Sequence, residues 1–239
     1  DTFESIESFG PDAIIVVAYG QFLKKDMLDL PKYGCLNVHG SLLPKLRGAS
    51  PMQQAILEGD EETGVTIMKM AEGMDSGDMI AAAATPVDHK NFEEIHDELA
   101  AMGAKLLVDV LPTVEDGTAM YTPQNEDQAT FAGLIKKSDG RIDFSRSAEE
   151  VDQLIRAFDP WPGAFCQLDG KTVKFWKAES MSVNCSEPAG SIVKADEDGL
   201  CICCGSILCV KELQMPGKKR VACGDFLRGH KIEKGTLFN

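Results

Sequence analysis

Residues 35–48 read CLNVHGSLLPKLRG, a short apolar strand that runs into a loop rich in glycine, proline and basic residues. The strand covers residues 35–39, and Asn37 and His39 stand two apart near its end. Because side chains alternate across a strand, both leave the same face. Strands and helices alternate on either side of this stretch, which predicts an α/β layer fold. Such folds bind ligands at the carboxyl ends of their strands, so an amide and an imidazole are expected together at a binding edge.

The neighbouring segments give the predicted order of elements. The β-branched run at residues 13–18 suits a strand buried on both faces. Further strands are predicted at 65–70 and 78–85, and helices at 1–9, 49–58 and 92–111. In the second half, Ser147 and Glu150 form a capping box that opens a helix. Short strands follow with turn candidates at Asp169-Gly170 and Asp198-Gly199, which favours a small β-barrel.

Charge divides the chain in two. The 239 residues carry a net charge of −14, which taken whole argues against a nucleic-acid partner. All of it lies in residues 1–136, residues 137–239 are balanced, and residues 211–239 carry a net +4. This asymmetry predicts two domains with different partners. The predicted boundaries are a catalytic domain at 1–118, a linker at 119–138 and a second domain at 139–239.

Several classes of protein are excluded by composition. No apolar run approaches the roughly 18 residues that a membrane span needs, so no membrane partner is expected. The protein is expected to be a cytoplasmic monomer. The eight cysteines lack the spaced pairs of a metal site, and no metal is expected. Four of them lie within residues 201–209, where they are typical of small apolar strand residues in a reducing compartment.

A second polar segment, EGMDSGD at residues 72–78, follows the predicted third strand. With Asn37 and His39, Asp75 completes a set that suits acyl transfer: an amide to stabilise an oxyanion, an imidazole to move a proton and a carboxylate to orient it. Plainer interpretations stay open. A single histidine is often only a hydrogen-bonded polar residue, and Asp75 is a typical turn residue. Cys35 shares the face of Asn37 and His39, although a buried, inert thiol is the favoured interpretation.

The two segments together resemble the folate-dependent formyltransferase family. The resemblance rests on NVHGSLLPKLRG at 37–48, GVTI at 64–67 and MDSGD at 74–78. It extends through YTPQ at 121–124, RIDF at 141–144 and IRAFDPWP at 155–162. The resemblance implies a Rossmann-like catalytic domain, incomplete at its N-terminus, followed by an OB-like β-barrel domain that binds tRNA.

The resemblance also implies a reaction. A formyl group would pass from 10-formyltetrahydrofolate, as co-substrate, to the amino group of initiator methionyl-tRNA. Asn37, His39 and Asp75 would be catalytic, with Asp75 holding His39 in its charged form. The folate site would be lined by Ser41, Leu42, Leu43 and Pro44. The basic residues expected to contact tRNA are Arg47, Lys218, Lys219 and Arg220.

Two other functions are compatible with these residues. A sugar-nucleotide N-formyltransferase would share the Asn, His and Asp set and the Asp159-Pro160-Trp161-Pro162 corner. A tRNA-binding fragment without catalysis would keep the basic residues, and Asn37 and His39 would have no catalytic role. The segments at 72–78 and 121–144 favour the tRNA enzyme.

Overall fold

The computed structural model describes residues 2–239, which form two compact units. The first unit runs to Leu134 and the second from Ile135, except that Ile56–Gly59 and His89–Glu93 group with the second. The predicted boundaries at 118 and 138 stay a prediction. Asp1, where the first helix was expected to begin, lies outside the described residues.

The first unit is built around a four-stranded mixed sheet with the order β1-β2-β4-β5. Strands β1 and β2 are parallel, while β4 is antiparallel to both β2 and β5. The elements to residue 134 are α1 (Thr2–Ser8), β1 (Ile14–Val17), α2 (Lys25–Asp29), β2 (Cys35–His39), β3 (Arg47–Gly48), α3 (Pro51–Glu58), β4 (Glu62–Lys69), β5 (Met79–Pro86), α4 (Phe92–Asp116), a 3-10 turn (Glu126–Gln128) and β6 (Phe131–Ala132). Leu36 and Ile67 pack against Val110 and Val114 of α4, and the core of the sheet lies there.

The prediction that β1 is buried on both faces is wrong. Ile15 and Val17 are exposed, at 39% and 62%. Within the described residues β1 is an edge strand with β2 as its neighbour, so a run of β-branched residues does not guarantee burial. Helix α4 also continues to Asp116, past the end predicted at residue 111, with Pro112 inside it.

The second unit is an antiparallel sheet with the order β7-β8-β11-β10-β9, and β12 pairs with β11. Its elements are a 3-10 turn (Lys137–Gly140), α5 (Ala148–Ala157), β7 (Ala164–Leu168), β8 (Lys171–Met181), β9 (Ile192–Asp196), β10 (Gly199–Cys204), β11 (Ser206–Gln214), β12 (Val221–Ala222) and α6 (Cys223–Gly229). The end of the chain bonds to both edge strands: the Gln167 amide donates to Asn239, and the Ile192 amide donates to Thr236. These bonds join β7 and β9 through one segment.

The predicted fold class, a Rossmann-like domain followed by a small β domain, is confirmed. The predicted hairpin turn at Asp169-Gly170 joins β7 and β8, with positive φ at both residues as a tight hairpin requires. One disulfide, between Cys185 and Cys203, departs from the expectation of free thiols, while six other cysteines are free and buried. Among the described residues, no helix is both long and apolar enough to cross a membrane.

Candidate active site

Strand β2 carries two of the three predicted catalytic residues. Asn37 lies opposite Val16 of β1 and Met68 of β4, and His39 lies opposite Thr66 of β4. Both residues are buried, with 8% and 5% exposure. Strand pairing on both sides therefore fixes the backbone at Asn37, and pairing with β4 fixes it at His39.

The third residue, Asp75, comes from the loop between β4 and β5. One carboxylate oxygen, Oδ1, accepts from Asn37 Nδ2 at 3.5 Å. The other, Oδ2, accepts from the Gly48 amide at 2.8 Å and lies 3.7 Å from His39 Nδ1. The structure thus brings together the three side chains that the sequence singled out.

The two ring nitrogens of His39 have different neighbours, which give them different roles. Nε2 lies 3.0 Å from the carbonyl oxygen of Leu46. Because a carbonyl oxygen only accepts, Nε2 carries a proton and donates it there. Nδ1 is the nitrogen that faces Asp75, so proton exchange with a substrate would run on that side of the ring.

Two glycines allow the loops to approach this closely. A Cβ on Gly77 would lie 1.8 Å from the carbonyl oxygen of Lys69, so the Asp75 loop can pass β4 only with glycine there. Gly48 has a φ of +112° and a Cβ there would lie 2.5 Å from the carbonyl oxygen of Ala132. This conformation lets the Gly48 amide point at Asp75.

The loop predicted to line the folate site is held by hydrogen bonds within it and by Thr66 of β4. Ser41 donates its hydroxyl to the carbonyl of Lys45 at 2.6 Å. The Thr66 hydroxyl donates to the carbonyl of Ser41 at 2.7 Å and accepts from the Leu43 amide at 3.2 Å. Ser41 and Leu43 are buried, and Leu42 and Pro44 are half-buried. The contact of these residues with folate stays a prediction.

The four predicted tRNA contacts fall into two kinds. Lys218 and Lys219 are exposed. Arg47 is only 3% exposed and uses its guanidinium on Glu126 and Gln124. Arg220 lies over the Trp176 ring and bonds to Asp159. Two of the four are thus already engaged within the protein, and tRNA contact stays a prediction for all of them.

Sequence reasoning missed the residues around the Asp75 loop. Gln124 donates to the carbonyls of Asp75 and Gly77, 49 and 47 residues away. Residues 121–124 carried part of the family resemblance, which was the available signal, but nothing in the sequence tied them to the loop. In the described part of the chain, His, Cys, Asp and Glu residues form no group that could hold a metal ion.

Both units match models of one enzyme family. Residues 1–111 match the model described as formyl transferase, and residues 134–231 match its C-terminal domain. The fold is therefore that of a formyl-transferring enzyme. A curated relative, the methionyl-tRNA formyltransferase of Agathobacter rectalis, is 46% identical over 237 residues, covering 98% of this chain and 76% of the relative. The chain belongs to the methionyl-tRNA formyltransferase family.

Two solved structures share the fold. HypX from Aquifex aeolicus in complex with tetrahydrofolic acid has a TM-score of 0.69 at 21% identity, covering 99% of this chain and 44% of that one. WlaRD, a sugar 3N-formyl transferase, has a TM-score of 0.70 at 18% identity, covering 90% of this chain and 77% of that one. At such identities the likeness concerns the fold alone.

Proposed function

We propose that this protein transfers the formyl group of 10-formyltetrahydrofolate to the amino group of initiator methionyl-tRNA. The observation that carries the proposal is the meeting of Asn37, His39 and Asp75 in a chain that is 46% identical to a methionyl-tRNA formyltransferase. An amide, an imidazole and a carboxylate in contact supply the donors and the proton carrier that acyl transfer needs.

The reaction forms one bond and breaks another. The amine nitrogen attacks the formyl carbon, and the carbonyl oxygen gains negative charge in the tetrahedral state. Asn37 Nδ2 has two N–H groups and only one faces Asp75, so the second can donate to that oxygen. As the bond from the formyl carbon to N10 breaks, the amine nitrogen loses a proton and N10 gains one. His39 Nδ1 and Asp75 stand where that proton can be held and passed on.

The first experiment removes each catalytic group in turn. His39→Ala and Asp75→Asn should each lower kcat by about 10²–10⁴-fold, the range for losing general acid–base catalysis. Asp75→Asn is the sharper variant because an amide oxygen still accepts from Gly48 and the charge alone is lost. Asp78→Asn, three residues away on the exposed part of the loop, is the matched control. Wild-type rates in His39→Ala or Asp75→Asn would overturn the assigned roles.

The second experiment identifies the acceptor of the formyl group. Protein is incubated with 10-formyltetrahydrofolate and either charged initiator tRNA or an amino-sugar nucleotide. Formylation of the tRNA is expected. Formylation of the sugar alone would assign a sugar N-formyltransferase, and tRNA binding without turnover would assign a non-catalytic module; either result overturns the proposal.

Light scattering of the free protein should give the mass of a monomer.

A further inference from the structure

The Asp75 loop is held from outside by one side chain. Gln124 Nε2 lies 2.7 Å from the carbonyl oxygen of Asp75 and 2.7 Å from that of Gly77. Its two amide hydrogens can therefore serve both carbonyls, one on each side of Ser76. Asp75 itself sits at a φ of +46°, a conformation that costs energy for a residue with a side chain. A two-point hydrogen bond across the turn offsets that cost.

Gln124 is oriented in turn by a buried arginine. Its Oε1 accepts from Arg47 Nε at 2.9 Å. The two terminal nitrogens of Arg47 donate to the two carboxylate oxygens of Glu126, at 3.0 and 2.8 Å. This pair of parallel hydrogen bonds fixes the plane of the guanidinium group. The same hydrogen bonds from Arg47 lower the pKa of Glu126. With its oxygen taken by Arg47, the Gln124 amide can only present its N–H groups to the loop.

The backbone supports the same arrangement. Strand β3, which contains Arg47, pairs with β6, and the Arg47 amide donates to Thr130 at 2.8 Å. The segment that carries Gln124 is also anchored two residues earlier, where Thr122 and Met79 exchange two backbone hydrogen bonds of 2.9 Å. Gly48, next to Arg47, donates to the Asp75 carboxylate. The Asp75 loop is therefore held at its backbone by Gln124 and at its side chain by Gly48.

We propose that Gln124 is a positioning residue for the formyl transfer, supported by Arg47 and Glu126. It touches no reacting group and acts by keeping the Asp75 carboxylate in place beside His39 and Asn37. The inference rests on the proposed function, since it assigns a purpose to the position of Asp75. It also gives Arg47 a role inside the protein, where the sequence suggested a tRNA contact.

The test replaces Gln124 with methionine, which has a similar length and no hydrogen-bonding amide. A displacement of about 1 Å in a catalytic group can cost about 100-fold, so Gln124→Met should lower kcat by about 10–100-fold. KM for the folate donor and for tRNA should stay within about twofold, because uniform binding is untouched. Gln124→Glu should be equally slow, since it has no N–H for the two carbonyls. Gln128→Met, at an exposed glutamine on the same segment, is the matched control.

A double-mutant cycle separates positioning from general damage. If Gln124 acts through Asp75, then Gln124→Met should add nothing to the loss of kcat in an Asp75→Ala background. Single-turnover assays with enzyme in excess keep the slow variants measurable. An additive loss, or an increase in KM at unchanged kcat, would overturn the role of Gln124 while leaving the proposed function intact. Full activity of Asp75→Ala alone would instead overturn the proposed function.

Folding is checked beside each assay. Urea unfolding should show that Gln124→Met remains folded under assay conditions. If it does not, Glu126→Gln replaces it in the cycle, because a neutral amide oxygen still accepts from Arg47 while the charged fork is lost. Its loss of kcat should be smaller than that of Gln124→Glu and should also vanish in the Asp75→Ala background. A loss that persists there contradicts the inference.

Discussion

Arg220 offers a sharp test of how the basic end of the chain is used. Its guanidinium lies 3.5 Å from the centroid of the Trp176 ring. Its Nη1 is 3.2 Å and its Nη2 is 2.5 Å from the carboxylate oxygens of Asp159. The side chain of Asp159 is 12% exposed, whereas that of Arg220 is 38% exposed. Removing Arg220 therefore leaves a nearly buried carboxylate without this partner.

The magnitude follows from these contacts. Breaking a fully buried ion pair by removing one member costs about 3–5 kcal/mol, and the exposure of Arg220 reduces that figure. The cation–π contact with Trp176 adds about 0.5–1 kcal/mol. We expect Arg220→Ala to lower the free energy of unfolding of the second unit by about 2–4 kcal/mol. Arg220→Lys should lose less than Arg220→Ala, because lysine keeps the charge without the planar fork.

Urea unfolding followed by tryptophan fluorescence measures this directly. The two tryptophans of the chain, Trp161 and Trp176, both lie in the second unit, so the signal reports on that unit. Lys219→Ala, at an exposed neighbour, should change the free energy of unfolding by less than about 0.5 kcal/mol. A loss below about 0.5 kcal/mol for Arg220→Ala would refute the reasoning, since the Asp159 carboxylate would then need no partner.

The same variants separate stability from tRNA binding. Each lysine that contacts a phosphate contributes about 0.7–0.9 to the slope of log K against log salt concentration. Lys218→Ala and Lys219→Ala should therefore flatten the slope, while Arg220→Ala should flatten it less, because the charge of Arg220 is paired with Asp159. A flattening by Arg220→Ala as large as that by Lys218→Ala would show that the charge of Arg220 is free to bind phosphate.

Three further predictions follow from single contacts. Gly77→Ala should lower kcat more than about 10-fold by forcing the Asp75 loop off β4, with Gly133→Ala, where a Cβ meets nothing within 4 Å, as the control. Ser147→Ala should cost the second unit about 1 kcal/mol in urea unfolding by removing the cap of α5. Hydrogen bonds from the backbone amide and the hydroxyl of Ser147 lower the pKa of Glu150, so the part of the difference that comes from the hydroxyl donating to the carboxylate should disappear as pH falls through that lowered pKa. A constant difference between Ser147→Ala and wild type at all pH values would contradict it. Burial raises the pKa of Asp152, so the native state binds a proton more readily than the unfolded chain, and stability falls as pH rises through the raised pKa. Asp152→Asn should remove this part of the pH dependence of unfolding. An unchanged pH dependence in that variant would contradict burial of Asp152 as its cause.

Local patterns were sufficient for the parts of the site that lie on one element. The alternation of β2 put Asn37 and His39 on one face, and the structure shows both buried beside β4. The capping box at Ser147 and Glu150 opens α5, with both of its hydrogen bonds present. In each case the interacting groups are two or three residues apart, so chain geometry alone specifies the contact.

Contacts between distant residues could not be predicted in this way. In the sequence Arg47 is a basic residue beside a predicted binding loop, and its contact with tRNA stays a prediction. Its partners, Gln124 and Glu126, are 77 and 79 residues away, and nothing in the local pattern identifies them. For the same reason the segment expected to be a linker supplies the side chain that holds the Asp75 loop. The sequence therefore shows the charge of Arg47 but not the ion pair with Glu126 that holds it.

The position of the acidic residues explains how an acidic first half is compatible with an RNA substrate. Helix α4 alone carries seven acidic residues and one lysine, nearly half of the net charge of −14. Leu36 and Val38 of β2 pack against the apolar side of this helix. Because Asn37 and His39 alternate with them, the catalytic side chains leave the opposite face of the sheet. The acids of α4 thus lie behind the sheet, and a phosphate that approaches Asn37 and His39 does so on the face that α4 does not cover. The net charge of this chain therefore indicates its partner only when the face of the sheet on which the carboxylates lie is known.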